Sequence, residues 1–250
     1  MTQTAVITGA TSGIGAEFAR QLAQRGYNLV LTGRNTERLA QAATDLAGRY
    51  SVKTEYIGAD LSTEDGVAAV AARVQEPDVR LLVNNAGYGL KNDFAHNSLE
   101  SEVDHLNVLV AAPLKLSHAA LNSMPAGGGG RIINVASLAG FLPRGTYSAA
   151  KAWVINFSRW ANIYYKDRGI TVTAVCPGFV HTEFHQRMQM DKSVYPAWMW
   201  LQPERVVSEG LAAAFAGKGV SIPSKRYRVL ATVSGLAPQQ LVARLAGRGR

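Results

Sequence analysis

The sequence predicts an α/β protein: a doubly wound, parallel β-sheet of about seven strands with helices on both faces, in three layers. Short segments rich in Val, Ile and Leu alternate with longer amphipathic segments along most of the chain, as in a parallel sheet with helical crossovers. Spaced glycines mark the junction between the first strand and the first helix. The 250 residues, 47% of them apolar and 18% charged, suit one such domain.

The individual elements follow from the period of the apolar residues. Strands are predicted at 3–8, 28–32, 52–57, 79–83, 131–135, 170–175 and 219–222. Helices are predicted at 14–25, 36–47, 63–75, 98–123, 146–167, 203–216 and 238–246. Pro113 predicts a break or kink in the fourth helix because proline has no N–H to donate, and the glycine run at 127–130 predicts a loop. Without repeats or linkers, residues 1–250 are expected to form a single domain.

The composition narrows the classes of function. The net charge of +8 fits either basic side chains scattered over the surface or attraction to an anionic cofactor or acidic carrier. Basic and aromatic residues do not alternate as in nucleic-acid-binding segments, so no nucleic-acid partner is expected. Cys176 is the only cysteine, which predicts no intrachain disulfide and a cytoplasmic location. We expect no membrane span, because no apolar run reaches about 18 residues, and no signal peptide, because a strand begins near residue 4.

Three glycines between the first strand and the first helix form the first candidate site. Gly9 permits a tight turn, Gly13 lets the backbone approach a pyrophosphate, and Gly15 allows the helix to pack closely on the strand. The N-terminus of the helix would then face the bound anion. The alternative is a tight strand-to-helix turn that binds nothing.

A second candidate site lies near the middle of the chain. Tyr147 and Lys151 are four residues apart in a helical segment and so share one face. A nearby ammonium would stabilise the phenolate and lower the tyrosine pKa from its usual value near 10. Tyr147 could then exchange a proton with an oxygen atom that gains or loses a hydride, and Ser137 could hydrogen-bond to the same oxygen. Taken alone, a Tyr/Lys pair is also common on helix surfaces.

Together the two segments resemble the short-chain dehydrogenase/reductase family. The family pattern Thr-Gly-x-x-x-Gly-x-Gly is matched from Thr8 to Gly15, and its Ser, Tyr and Lys trio by Ser137, Tyr147 and Lys151. Recognisable motifs cover about residues 4–182. The resemblance implies a Rossmann fold and the transfer of a hydride between a nicotinamide cofactor and a ketone or alcohol.

The resemblance also implies a set of site residues. Asp60 would contact the adenine, the Asn84–Gly87 segment would support the cofactor ribose, and the segment from Pro177 to Thr182 would embrace the nicotinamide. The implied cofactor-binding residues are Gly9, Thr11, Ser12, Gly13, Ile14, Gly15, Arg34, Asp60, Leu61, Asn85, Ala86, Gly87, Tyr147, Lys151, Pro177, Gly178, Val180 and Thr182. The implied catalytic residues are Asn107, Ser137, Tyr147 and Lys151, with Asn107 completing a proton relay.

The end of the second strand predicts NADP(H) rather than NAD. NAD enzymes place an acid there to hold the ribose 2′-hydroxyl, whereas an arginine suits a 2′-phosphate. This strand ends in Thr32-Gly33-Arg34, and the first acid, Glu37, falls inside the next helix. If Arg34 is an ordinary solvated residue, the preference stays open.

One spacing departs from the family pattern. Ser137 precedes Tyr147 by only ten residues, so the loop at 138–146 is shorter than is usual in the family. We expect the shortening to alter the geometry of Ser137 and the mouth of the substrate site. Ser148 is an alternative donor, although it would project roughly 100° away from Tyr147 around the helix.

Other segments remain open to two interpretations. The region 179–202 is expected to form a substrate lid, and its Met and Trp residues suit either a pocket for a lipophilic 3-oxoacyl- or steroid-like substrate or ordinary packing. His181, Glu183 and His185 stand close together, but their spacing does not favour a metal site. The C-terminal segment 223–250 is basic. Its part 227–247 could touch a membrane surface or an acidic carrier, although a docked C-terminal helix or a subunit contact is favoured.

Two expectations concern the whole protein. The resemblance implies a homodimer or homotetramer. The main alternative to an enzyme is a catalytically silent NADP-binding regulator or scaffold with the same fold, although the retained Tyr147 and Lys151 favour catalysis.

Overall fold

A computed structural model describes residues 3–124, 128–184 and 196–236. Seven strands form one sheet in the order β3-β2-β1-β4-β5-β6-β7, and every pairing is parallel. The strands are β1 (Thr4–Thr8), β2 (Asn28–Gly33), β3 (Thr54–Gly58), β4 (Val79–Asn84), β5 (Arg131–Val135), β6 (Thr171–Val175) and β7 (Val220–Ser221). This order confirms the predicted doubly wound sheet.

Helices cover both faces of the sheet. They are α1 (Gly13–Gln24), α2 (Thr36–Tyr50), α3 (Glu64–Val74), α4 (Leu99–Leu106), α5 (Ala112–Ser123), α6 (Gly145–Tyr164), α7 (Pro203–Phe215) and α8 (Lys225–Leu236). Successive side chains of β1 point to opposite faces of the sheet and contribute to the hydrophobic core on each face. Ala5 and Ile7 pack in the core with α1, α2 and α7, whereas Val6 packs in the core with α3 and α5.

The predicted helix at 98–123 is interrupted, but not at Pro113. Residues Asn107–Ala111 form a π-helical turn between α4 and α5. Pro113 lies in the first turn of α5, where its missing N–H costs little. The prediction of a break at Pro113 was therefore wrong in its position, since the irregularity precedes the proline.

The C-terminal part differs most from the prediction. The helix expected at 238–246 lies outside the described residues. Helix α8 falls in the C-terminal segment for which a docked helix was one alternative, although its bounds were not predicted. It begins after Ser224, a residue with a φ of 80° whose N–H donates to the Glu209 carboxylate at 3.0 Å. Lys, Arg, Ser and Thr interrupt the apolar residues of α8, so its sequence lacks a clear helical period.

The predicted loop at 127–130 is described from Gly128 onward, where it leads into β5.

A chain of buried amides joins two central strands to the helix behind them. The Asn84 Nδ2 on β4 donates to the Asn134 Oδ1 on β5 at 2.8 Å, and the Asn134 Nδ2 donates to the Ser158 Oγ on α6 at 2.9 Å. Because buried polar groups are costly without partners, these bonds fix α6 against the sheet.

The end of β1 is bonded to the end of β4 where the strand order reverses. The Thr8 Oγ1 accepts the N–H groups of Asn85 and Ala86 at 2.9 and 3.0 Å and donates to the Val83 carbonyl at 3.3 Å. The Asn85 Nδ2 donates to the Thr8 and Gly9 carbonyls at 2.9 and 3.1 Å. In open α/β sheets, ligands bind in the crevice at this reversal.

Replacing Thr8 by Val tests this junction. The variant keeps the shape of the side chain but leaves the N–H groups of Asn85 and Ala86 without their acceptor, so the free energy of unfolding should fall by about 2 kcal/mol. Urea denaturation measures the loss. The control Thr44→Val removes a hydroxyl from the exposed face of α2 and should change stability by less than about 0.5 kcal/mol. Equal losses in both variants would contradict the assigned role of Thr8.

Candidate active site

A cavity of about 1250 Å³ opens at the carboxyl ends of the strands. It brings together most of the residues that the sequence analysis selected. Those that line it are Gly9, Thr11, Ser12, Gly13, Ile14, Arg34, Asp60, Leu61, Asn85, Ala86, Gly87, Ser137, Tyr147, Lys151, Pro177, Gly178, Val180 and Thr182. Gly15 and Asn107 are the two predicted residues that do not line it.

The glycine loop turns the first helix toward this cavity. Gly9 and Gly13 have φ angles of 65° and 55°, in the left-handed region that favours glycine. A Cβ on Gly15 would lie 2.1 Å from the Gly9 carbonyl oxygen, so Gly15 serves the close packing expected of it. A Cβ on Gly13 would lie 3.0 Å from the Thr182 Cγ2, which places the segment after β6 directly over the loop.

The N-terminus of α1 has the properties of an anion-binding site. Ser12 is the N-cap residue, but its side chain makes no capping hydrogen bond within the described part of the chain, and the first turn carries no acidic residue. The first amide N–H groups of α1 are thus not capped by this side chain, and Ser12, Gly13 and Ile14 line the cavity. These residues fit a cofactor pyrophosphate.

The end of β2 forms the opposite wall of the same groove. Arg34 is exposed and lines the cavity, and Glu37 in the first turn of α2 is not among the residues that line it. The Asp60 carboxylate accepts the N–H and the hydroxyl of Ser62 at 3.0 and 2.8 Å. The N–H bond from Ser62, helped by the Arg34 charge, lowers the pKa of Asp60, which therefore stays ionised at neutral pH.

Ser137, Tyr147 and Lys151 meet deeper in the cavity. The hydroxyl of Ser137 hydrogen-bonds with that of Tyr147. The Lys151 Nζ lies 5.7 Å from the centroid of the Tyr147 ring and donates to the Val135 carbonyl at 2.8 Å. The amine is thus held between β5 and α6, beside the phenol.

The protonation of this pair differs from the expectation. Burial raises the pKa of Tyr147 to about 12, against a smaller opposing effect of the Ser137 hydrogen bond. Burial also lowers the pKa of Lys151 to about 8. The expected lowering of the tyrosine pKa by the ammonium was therefore wrong for this structure, because burial of the phenol dominates and the smaller opposing effect comes from Ser137.

The short loop between Ser137 and Tyr147 is compact. Leu138–Phe141 form a 3-10 turn in which the Ser137 Oγ accepts the Ala139 N–H at 3.1 Å, and α6 begins at Gly145. Ser148 also lines the cavity, and its buried Oγ has no hydrogen-bond partner among the described residues.

Asn107 occupies a different place from the other predicted catalytic residues. It begins the π-helical turn, and its carbonyl accepts the Ala112 N–H. Its Nδ2 donates to the Ser62 carbonyl at 3.3 Å, toward the cofactor side of the site. Its part in a proton relay stays a prediction.

Several residues of the site carried no signal in the sequence. The buried His105 ring stacks on Tyr147 with 6.1 Å between centroids, and its Nε2 lies 3.1 Å from the Tyr88 carbonyl. Burial lowers the pKa of His105, so its ring is neutral at pH 7. The Phe184 ring lies 6.0 Å from Tyr147 on another side, and Tyr227 of α8 also lines the cavity. No motif spacing in the sequence could have identified His105, Tyr88, Phe184 or Tyr227 as residues of the site.

The region 179–202 is described in part. The Glu183 carboxylate pairs with Arg38 at 3.2 Å, and the His181 ring stacks on Trp200 at 5.2 Å. His185, Met188 and Met190 lie outside the described residues.

Within residues 3–124, 128–184 and 196–236, no group of three or more His, Cys, Asp or Glu side chains could hold a metal ion. Over the same ranges, no helix has the length and apolar character needed to cross a bilayer.

Known proteins share both the sequence pattern and the fold. The short chain dehydrogenase family matches residues 3–193. The very-long-chain 3-oxoacyl-CoA reductase-A of Danio rerio is 34% identical over 83% of this chain and 65% of its own length. The inactive hydroxysteroid dehydrogenase-like protein 1 of Homo sapiens is 35% identical over 71% of this chain and 56% of its own length. The chain thus spans about three fifths of the length of these two relatives.

A solved structure has the same architecture. The short-chain dehydrogenase from Sphingobium yanoikuyae, in complex with NADPH, superimposes with a TM-score of 0.85 at 31% identity, covering 92% of this chain and 93% of that one. The α/β fold described above agrees with this match. The chain therefore belongs to the short-chain dehydrogenase/reductase family of nicotinamide-dependent oxidoreductases.

Proposed function

We propose that this protein is an NADPH-dependent reductase that transfers a hydride between the nicotinamide and a ketone or alcohol. The observation that carries the proposal is the meeting of Ser137, Tyr147 and Lys151 with the uncapped glycine loop in one cavity. When bound, the reduced nicotinamide supplies the hydride. The protein must supply the proton and hold the carbonyl.

Tyr147 is the proposed general acid in reduction and general base in oxidation. With its pKa raised to about 12, the phenol holds its proton at neutral pH and can give it to the carbonyl oxygen as that oxygen gains charge. The Ser137 hydroxyl, hydrogen-bonded with the phenol, would orient the same oxygen. Lys151, whose pKa of about 8 keeps most molecules charged at pH 7, would stabilise that charge and hold the nicotinamide ribose. Asn107 is proposed to complete the relay.

The preference for NADP(H) over NAD is assigned to Arg34. Arg34 directly follows β2 and lines the cavity, and the neighbouring Thr32 and Gly33 also line it without adding an acid. A guanidinium can bind a 2′-phosphate with two parallel hydrogen bonds. Asp60 would lie at the adenine.

The substrate is proposed to be a lipophilic ketone of the 3-oxoacyl or steroid type. Away from the glycine loop, the cavity is lined by large apolar side chains. These include Leu90, Phe94, Leu138, Phe141, Leu142, Phe179, Phe184 and Leu230. Such a surface favours an apolar substrate body through the hydrophobic effect, and the Danio rerio relative is named for a long-chain 3-oxoacyl substrate.

A homodimer or homotetramer in the cytoplasm is part of the proposal. Leu99 and Val103 of α4, Leu114 of α5, and Ile163 and Tyr164 of α6 are exposed, with Leu99 and Ile163 both 77% exposed. These exposed apolar side chains on the three helices are the proposed association surface. The cytoplasmic location rests on the single, buried cysteine of the chain.

A silent NADP-binding regulator is the second candidate, and the human relative named as inactive favours it. Oxidation of NADPH, followed at 340 nm against a panel of lipophilic ketones, separates the two. Turnover supports the reductase. Binding of NADPH without turnover on any ketone supports the regulator.

Replacing Tyr147 by Phe should abolish most turnover, by about a factor of 10² to 10⁴, because the proton donor is lost. NADPH should still bind, since the phosphate contacts remain. Steady-state kinetics and fluorescence titration with NADPH measure the two effects. The control Tyr56→Phe, exposed on β3, should leave turnover unchanged. Retained turnover in the Tyr147 variant would remove this residue from the mechanism.

Replacing Arg34 by Asp should weaken NADPH far more than NADH, by about 10- to 100-fold in kcat/KM. The new carboxylate would repel the 2′-phosphate, whereas NADH offers a hydroxyl there. The control Arg49→Asp makes the same charge change at the other end of α2, away from the cavity lining, and should affect both cofactors equally and slightly. A loss of equal size for both cofactors in the Arg34 variant would contradict the assignment.

A further inference from the structure

Tyr227 of α8 is buried beneath the mouth of the cavity, with 4% of its surface exposed. Its hydroxyl accepts the Phe179 N–H at 3.2 Å and donates to the Met199 carbonyl at 2.5 Å. One side chain thus joins two backbone segments, the one that follows β6 and the one that precedes α7.

These two segments already form a short parallel bridge. The Leu201 N–H donates to the Phe179 carbonyl at 2.9 Å, and the His181 N–H donates to the Leu201 carbonyl at 3.0 Å. If this parallel pairing continued by one hydrogen bond toward the N-terminal ends of the two segments, the Phe179 N–H would donate directly to the Met199 carbonyl. The Tyr227 hydroxyl stands between those two groups, so it replaces a backbone rung and keeps the segments apart.

The ring of Tyr227 fixes the residue before this rung. A Cβ on Gly178 would lie 2.1 Å from the Tyr227 Cζ, so ring and backbone are in close contact. On the other side, the Pro177 carbonyl accepts the Leu138 N–H at 2.9 Å, next to Ser137. The Pro177–Phe179 segment is therefore held between the loop that carries Ser137 and the ring of Tyr227.

We propose that Tyr227 is a positioning residue for the nicotinamide end of the cofactor, which it controls by setting where Gly178 and Phe179 lie against the cavity. This rests on the proposed function, in which that segment contacts the nicotinamide. The close contacts of Tyr227 are with Gly178, Phe179 and Met199, so we expect the phosphates and the adenine to bind as before when its hydroxyl is removed.

The test compares two ligands that differ only at the nicotinamide end. NADPH and 2′-phospho-ADP-ribose are titrated into the full-length wild-type protein and into Tyr227→Phe, which keeps the ring and removes the hydroxyl. The Kd of NADPH should rise about five- to tenfold, because the ladder can close and shift Gly178. The Kd of 2′-phospho-ADP-ribose should change by less than about twofold. The control Tyr56→Phe, exposed on β3, should change neither.

A second variant keeps the test decisive if Tyr227→Phe does not fold. Gly178→Ala inserts a methyl group against the ring from the opposite side and should show the same selective loss for NADPH. An equal loss for both ligands, or no loss for either, overturns the proposal. The comparison needs no turnover, so a wild-type protein that binds NADPH but reduces no ketone refutes the proposed reductase without affecting this result.

Discussion

The hydrogen bonds between Thr8 and the start of the Asn85–Gly87 segment hold the site together. They join β1 to β4 where the strand order reverses, and both the glycine loop and the Asn85–Gly87 segment begin at that junction. The close contact of Gly15 with the Gly9 carbonyl depends on the same register, because Asn85 donates to that carbonyl. The α1 amides face the cavity only while this junction keeps its geometry.

Burial controls the chemistry of the proton-transfer pair. The same loss of water raises the pKa of Tyr147 and lowers that of Lys151, so each group shifts toward its uncharged form. A phenol that keeps its proton is suited to act as an acid, which fits reduction at neutral pH. The neutral His105 ring stacked on Tyr147 adds no charge that would reverse this balance.

Local features of the chain were predictable, and distant contacts were not. The glycine spacing and the Tyr147/Lys151 pair depend on backbone turns and on the helical repeat, so the sequence alone locates them. The π-helical turn before Pro113 does not follow from the missing N–H of that proline. Helix α8 is stabilised by contacts with α7 and with the segment after β6, which lie far away in sequence. His105 and Tyr227 lie beside the site for the same tertiary reason. Burial also reversed the expected pKa shift of Tyr147. The spacing of residues in the sequence does not show how much water surrounds a phenol, so this reversal could not be predicted.

The most direct measurement of the proposed chemistry is the transfer of deuterium from NADPH that carries deuterium at both C4 positions of the nicotinamide. The labelled cofactor is mixed with the wild-type protein and a ketone that supports turnover, and the alcohol is examined by mass spectrometry and NMR. Hydride transfer should place one deuterium on the carbinol carbon of the product, with the hydroxyl proton taken from exchangeable sites. A product alcohol without deuterium on that carbon would contradict hydride transfer in this cavity.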